Sequence, residues 1–241
     1  DLRSSSSSLW FAVIFLVFLG LAAAGAGFYL SQWRQFSRSA ESELSTVARL
    51  KVDQISAWRE DQIEDAALLA EYPPFVHALE MIVAGRKDDL AGRLTTLLTF
   101  YQRNNDLNEI VLMDMDGRVR LSLNGGKGGV YSDYEIAMAE ALRSGRPVIT
   151  ELHSGVHHSQ PHVSVLAPVF SGVNRVPIGV VVLVNDARRF LYPLLRSWPT
   201  LSRSAETYLL MREGSDALFL NDVRHGKDTA LKLRIPLSRS D

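Results

Sequence analysis

The sequence predicts an α+β protein. A transmembrane helix continues into a long stalk helix, a domain with a five-stranded antiparallel sheet flanked by helices follows, and a second such domain begins. Three observations carry this reading. Residues 9–30 hold no charge and pass, with no Pro or Gly after Gly27, into a helical pattern that lasts to Glu71. Residues 109–123 show the alternation and the Asp116-Gly117 pair of a tight hairpin. Two strand patterns, a helix pattern and three more strand patterns then succeed one another, as in a domain built on one antiparallel sheet.

Composition sets the outer bounds. The chain has 241 residues, enough beyond the stalk for one full domain and part of another. A formal net charge of −1 leaves no electrostatic footprint for nucleic acid. The absence of cysteine excludes disulfides, thiolate zinc sites and cysteine nucleophiles. The chain begins at Asp1 rather than Met and breaks off after an apolar segment, so a piece of a longer protein is expected.

The uncharged span 9–30 has 22 residues. At ~1.5 Å per residue it matches a hydrocarbon core of ~30 Å. Trp10 stands at one end and Tyr29 and Trp33 at the other, where amphipathic rings favour the interface. The alternative is a cleaved signal peptide with an apolar core at 9–19 and a small-residue cleavage site among Ala22 to Ala26. The length of the span and its direct passage into a helix favour the anchor. Residues 1–8 form a short tail, read as cytoplasmic. Arg3 precedes the span and Arg34 and Arg38 follow it, so the charge count taken literally points the opposite way, with the domain in the cytoplasm, and carries little weight.

In the stalk, 31–72, apolar residues fall at Phe36, Ala40, Leu44, Val47, Ile55, Trp58, Ile63, Ala66 and Leu69. The steps are mostly three or four, with a gap at Lys51. So narrow a stripe suits another helix or the domain that follows, and pairing of two copies through the stalk is expected. A plain spacer is the alternative. Pro73-Pro74 ends the helix.

The first domain, 73–197, opens with two helices. One covers 75–84, with Phe75, Val76, Leu79, Ile82 and Val83 on a face and Gly85 as its stop. The other covers 88–103, with Leu90, Leu94, Leu97, Leu98 and Tyr101 on one side. Strands are predicted at 109–115 and 118–123 as a half-exposed hairpin. The loop 124–129, NGGKGG, lacks the G-K-[ST] of a phosphate loop. A helix follows over 132–143, N-capped by Ser132 or Asp133 and ended at Gly145. Strands at 146–153, 162–170 and 178–185 complete the sheet, with a turn at 173–177. Asp186 is read as the cap of a helix over 187–195. From 198 the second domain begins with a hairpin, 206–211 and 217–220 across 212–216, and an apolar segment at 231–236.

The candidates for chemistry cluster. His153, His157, His158 and His162 lie within ten residues around a Gly- and Ser-containing turn. Neutral imidazoles ligate zinc, copper or nickel, but no spacing here is diagnostic, and a solvated polar loop is the alternative. His162 and Ser164 share a strand face with Leu166, either as polar fixtures of a pocket or on a solvent-facing surface. Tyr131, Asp133 and Tyr134 suit a ligand lid, or an N-cap with one core Tyr. Asp114 and Asp116 are explained by turn chemistry. No nucleophile–base pairing points to hydrolysis, so neither an enzyme nor a cofactor is expected. The ligand-binding candidates are therefore Tyr131, Asp133, Tyr134, His153, His162, Ser164 and Asp186, with the four histidines as the metal candidates.

Several phrases carry a resemblance: EIVLMDMDGRVRLS (109–122), ALRSGRPV (141–148), PHVSVLAPVF (161–170) and IGVVVLV (178–184), with SWPT (197–200), AET (205–207) and the closing LFLNDVRHGKDTALKLRIPL (218–237). Together they resemble the double-Cache, PAS-like extracytoplasmic sensor region of bacterial membrane-bound signalling receptors, over nearly the whole chain. The resemblance implies that the membrane-distal module binds a small molecule outside the cytoplasm and that the protein sits in the inner membrane. It also implies an effector beyond a second span, commonly a histidine kinase, sometimes a diguanylate cyclase or a chemotaxis domain. No effector motif is present. Members that bind amino acids carry an Arg-x-Trp-Tyr cluster where this chain reads VYSDYEI (130–136), so amino-acid binding does not carry over. The competing readings are a membrane-anchored scaffold with no small ligand and a metal-dependent enzyme using the histidines.

Overall fold

The computed structural model describes residues 4–85, 90–125, 129, 131–172, 175–199, 205–226 and 228–238. Arg3, Asp88, the Gly126-Lys127-Gly128 centre of the glycine-rich loop, Val130, Val173 and Thr200 lie outside the described residues, as do the side chains of Trp10 and Leu90. The chain divides into two compact units, 1–50 and 51–241.

Helix α1 (Ser4–Glu71) supplies the described part of the first unit. Its apolar stretch is long enough to cross a membrane. Phe15, Leu16, Phe18, Leu21 and Phe28 are all exposed, an apolar surface of the kind that lipid covers.

The second unit takes over α1 at Lys51. Here the stripe has a purpose. Ile63, Ala66 and Leu69 pack into a core with α2 (Pro73–Val83) and α3 (Leu90–Asn104), while Ile55 and Trp58 join a separate cluster. Trp58 stacks on Phe190 with centroids 5.1 Å apart. Two prolines at the head of α2 occupy first-turn positions whose N–H groups have no helical acceptor.

Lys51, a gap in the apolar pattern, is 5% exposed. Its Nζ donates to Leu194 O at 2.6 Å and to Ser197 Oγ at 2.7 Å, at the C-terminal end of α5 (Leu191–Arg196). Helix C-termini present unpaired carbonyls and favour a cation. Burial lowers the pKa of the amine, and these two acceptors offset that cost. Lys51→Met, which keeps the stem and deletes the charge, is expected to destabilise the chain by about 1–3 kcal/mol, read from its unfolding midpoint in detergent. An unchanged midpoint would show that the ammonium contributes nothing.

The sheet consists of β1 (Glu109–Met113), β2 (Val119–Ser122), β3 (Val148–Ile149), β4 (His162–Phe170) and β5 (Pro177–Asp186) in the order β2-β1-β5-β4-β3, every pair antiparallel. One face, with Ile110, Leu112, Val165, Ala167, Val181 and Leu183, packs on α1, α2 and α3. The other, with Val111, Met113, Leu166, Val180, Val182 and Val184, packs on Tyr131, Tyr134 and α4 (Glu135–Ser144) through Met138 and Ala141. Covered on both faces, β1 is buried throughout and only β2 is half-exposed, so the alternation of an open sheet survives on one strand of the hairpin alone.

Three local expectations are corrected. The third strand is two residues long rather than 146–153, with His153 rejoining the sheet through an isolated bridge to His162. Residues 132–134 form a 3-10 turn, and neither Ser132 nor Asp133 caps α4. Asp186 ends β5, and the next helix begins only at Leu191.

A second sheet follows, β6 (Leu210–Glu213), β7 (Asp216–Phe219) and β8 (Arg234–Pro236), in that order. Its hairpin turns tightly at Gly214-Ser215, since Glu213 pairs with Asp216, and so the loop is shorter than 212–216. Leu218 and Leu220 pack on Leu191, Tyr192 and Leu195, and the Tyr192 hydroxyl donates to Leu220 O at 2.8 Å.

Candidate functional site

Strand period two sends His162, Ser164 and Leu166 to the face that meets Val182 and Val184. The 3-10 turn and α4 roof that face, and the segment 150–161 loops beside them before re-entering the sheet at His162. His162 is 1% and Ser164 0% exposed, which overturns a solvent-facing placement.

Polar chemistry under this roof is continuous. The Tyr134 hydroxyl lies 3.0 Å from Ser164 Oγ and 3.5 Å from His162 Nε2, and burial pushes the phenol well above its ordinary pKa. His162 Nδ1 lies 2.9 Å from Gln160 O. A carbonyl only accepts, so Nδ1 carries the hydrogen and Nε2 the lone pair. Burial drives the His162 pKa down to about 4 against the opposing pull of the Gln160 carbonyl, so the ring is neutral at pH 7. His153 donates in the same way from Nδ1 to Glu151 O at 2.9 Å, and its Nε2 is buried without a partner. The His153 and His162 rings stand 4.2 Å apart.

Glu109 closes the site from the head of β1. It is 3% exposed. Burial raises its pKa, but bonds from His158 and Ser122, the His158 charge and the Asn124 N–H outweigh that and hold it below the ordinary carboxylate range. His158 Nε2 lies 2.5 Å from Glu109 Oε2, and the Ser122 hydroxyl donates to Oε1. Both side chains of the His158–Glu109 pair are under 10% exposed, at 8% and 4%. His157 lies flat on Tyr131 with centroids 3.8 Å apart and planes 15° apart.

Tyr131, Tyr134, His153, His162 and Ser164 are thus brought into one cluster. Asp133 borders it: its Oδ2 accepts from Val156 N at 3.1 Å and so ties the 3-10 turn to the 150–161 segment. That contact requires glycine next door, since a Cβ on Gly155 would sit 2.0 Å from Asp133 Oδ2. Asp186 faces His162 in strand register, yet its carboxylate takes hydrogen bonds from the Arg188 N–H and guanidinium and thereby caps a turn. Among the described residues no three His, Asp or Glu side chains converge as a metal site. Instead His153 and His158 each meet the His162 ring at a tilt of 54°, His157 stacks on Tyr131, and His158 bonds to Glu109.

Glu109 and Ser122 were absent from the sequence candidates. The available signal was a lone carboxylate at the head of EIVLM, since a charge in a strand buried on both faces requires dedicated partners.

No family model matches the chain, and no curated protein matches it. Solved structures do. The ligand-binding domain of the Campylobacter jejuni chemoreceptor Tlp3, in complex with 4-methylisoleucine, is similar with a TM-score of 0.52 at 15% identity, over 66% of this chain and 64% of that one. The ligand-binding domain of the Pseudomonas aeruginosa PAO1 amino acid chemoreceptor PctC, in complex with GABA, is similar with a TM-score of 0.53 at 15% identity, over 80% of each chain. At this identity the likeness is one of fold. The chain has the α+β fold of these two ligand-binding domains, together with a long apolar helix, and spans 64% of the length of the Tlp3 domain.

Proposed function

We propose that this chain is the small-molecule-sensing input region of a bacterial transmembrane receptor, with 9–30 crossing the inner membrane and 73–197 as the sensing module outside it. One observation carries the reading: Tyr134 from the 3-10 turn joins His162 and Ser164 in a polar cluster, and the Glu109–His158 pair borders it through the His158 ring, 5.0 Å from that of His162, with Tyr134, His162, Ser164 and Glu109 each under 4% exposed. Apolar side chains would stabilise this layer at least as well as neutral buried polar groups. Retaining donors and acceptors there fits a pocket in which a few polar groups orient a ligand.

The stalk, 31–72, is the route by which the sensor reaches the membrane. Its exposed Phe36 and Leu44 offer an apolar stripe to a second copy. Residues 198–241 begin a membrane-proximal module. A histidine kinase is the effector class we favour, with a diguanylate cyclase or a chemoreceptor signalling domain as alternatives.

The full chain in detergent, screened against a broad metabolite panel by thermal shift, is expected to show stabilisation by at least one compound. At 100 times Kd the gain is about 2.7 kcal/mol. Tyr134→Phe removes the hydroxyl that links Ser164 and His162, and should shrink that shift while leaving the fold. Light scattering on the same preparation reports whether two copies pair. A panel without any shift would favour the scaffold reading.

A further inference from the structure

Two neighbours in the 150–161 segment do something unusual for loop residues. His157 stacks face to face on Tyr131 at 3.8 Å, and His158 reaches past it to place Nε2 on Glu109 Oε2 at 2.5 Å. One nitrogen heterocycle lies on an aromatic face and the next donates N–H to a buried carboxylate. His157 is itself exposed, whereas Tyr131 is 7% and Glu109 3% exposed. The loop therefore covers Tyr131 and Glu109 with two of its own side chains.

We propose that His157 and His158 occupy the pocket as an internal stand-in for its ligand, and that the ligand is a small organic cation: a protonated amine, amidine or imidazolium with an N–H for Glu109 and a flat or apolar body for Tyr131. This rests on the sensing role proposed above. The argument is one of exchange. Ser122 and Asn124 serve Glu109 Oε1, so whatever displaces His158 must return an N–H donor to Oε2, because a buried carboxylate oxygen stripped of its partner is strongly unfavourable. Whatever displaces His157 meets the face of a tyrosine ring, which attracts cations.

The surroundings agree. The charges that act most on Tyr131, Tyr134 and His162 come from Glu109, Asp133, Tyr131 and the histidines His153 and His158. The remaining groups accept: His162 Nε2 carries a lone pair, and His153 Nε2, whose Nδ1 already donates to a carbonyl, is buried without a partner. A carboxylate ligand would meet an anion and lone pairs here. Besides the contact of His158 with Glu109, the segment is held to the 3-10 turn by Val156 N, which donates to Asp133 Oδ2.

The test uses the full chain in detergent with histamine, agmatine, L-serine and succinate as probes, read by calorimetry and thermal shift. Histamine or agmatine should bind, and L-serine and succinate should not. His157→Ala combined with His158→Ala removes the internal competitor and should tighten the amine about tenfold, because the open site becomes the populated one. Glu109→Gln should weaken it about 100-fold. If Glu109→Gln does not fold, Tyr131→Leu, which removes only the stacking face, should weaken binding about tenfold. Binding of L-serine or succinate without the amines would overturn the charge assignment and leave sensing intact. Loss of binding in the double histidine variant would make those residues ligand contacts and overturn the stand-in. Silence with all four probes, against a positive shift in the broad panel, would overturn the cation class alone, and silence in both would remove the sensing role too.

Discussion

Gly179→Ala is expected to cost the chain about 3 kcal/mol or more, a drop of roughly 6–12 °C in unfolding midpoint for a chain of this size. Gly179 lies in β5, between β1 and β4, and a Cβ there would sit 2.3 Å from Met113 O. That atom is backbone at the end of β1, next to the turn that Asp114 fixes by accepting from the Asp116 and Arg118 N–H groups. Neither strand can yield without breaking pairs. Gly172→Ala is the control, because a Cβ there meets nothing within 4 Å, and it should stay within about 0.5 kcal/mol of the parent. Equal midpoints for the two variants would show that β1 and β5 are less tightly registered than their pairing implies.

The second large effect is a loss of stability in mild acid. His162 is buried with a pKa lowered to about 4. Between the unfolded value near 6.5 and that folded value, the unfolded chain takes up a proton that the native chain refuses. The contribution of His162 is therefore complete above about pH 6.5 and is lost as pH falls towards 4, by about 3 kcal/mol in total. Glu109, whose folded pKa is depressed, adds a loss with the same sign at still lower pH, as pH falls through its folded value. His162→Asn keeps a donor for Gln160 O and cannot titrate. Its stability should change less between pH 6.5 and 4 than the parent's, measured by chemical unfolding at fixed pH. Parallel curves would mean that His162 accepts its proton in place.

What could be read in the sequence was whatever neighbouring residues decide. The limits of β4 and β5 follow from apolar runs bounded by Pro, Gly and polar residues, and the β1–β2 hairpin follows from Asp116-Gly117. Period two also placed His162 and Ser164 on one face. It could not tell that this face is covered, because the cover is a 3-10 turn and a helix some twenty to thirty residues earlier in the chain. Asp133 and Asp186 fitted the local statistics of helix caps, yet each carboxylate is drawn to another partner, Val156 N in one case and Arg188 in the other. Lys51 interrupted an apolar pattern, and only the tertiary fold supplies the carbonyl of Leu194 that makes burial tolerable. His157 and His158 drew notice as metal ligands because imidazole count is visible in a sequence. Their partners, Tyr131 and Glu109, come from other parts of the domain.

Strand β5 is the last of its sheet to leave the ribosome, and it lies at the centre. Until residue 186 has been made, β1 with β2 and β4 with β3 are two separate ribbons, each with an open apolar edge cut to fit the same missing strand. Loop closure between β1 and β5 spans the whole stretch 114–176, so pairing is long-range and slow relative to the local helices. A nascent chain thus waits with both edges open, the state in which strands pair with another chain. The sheet is sealed in one late insertion, which makes the time those edges stay open, rather than the helices, the step that decides how much chain folds.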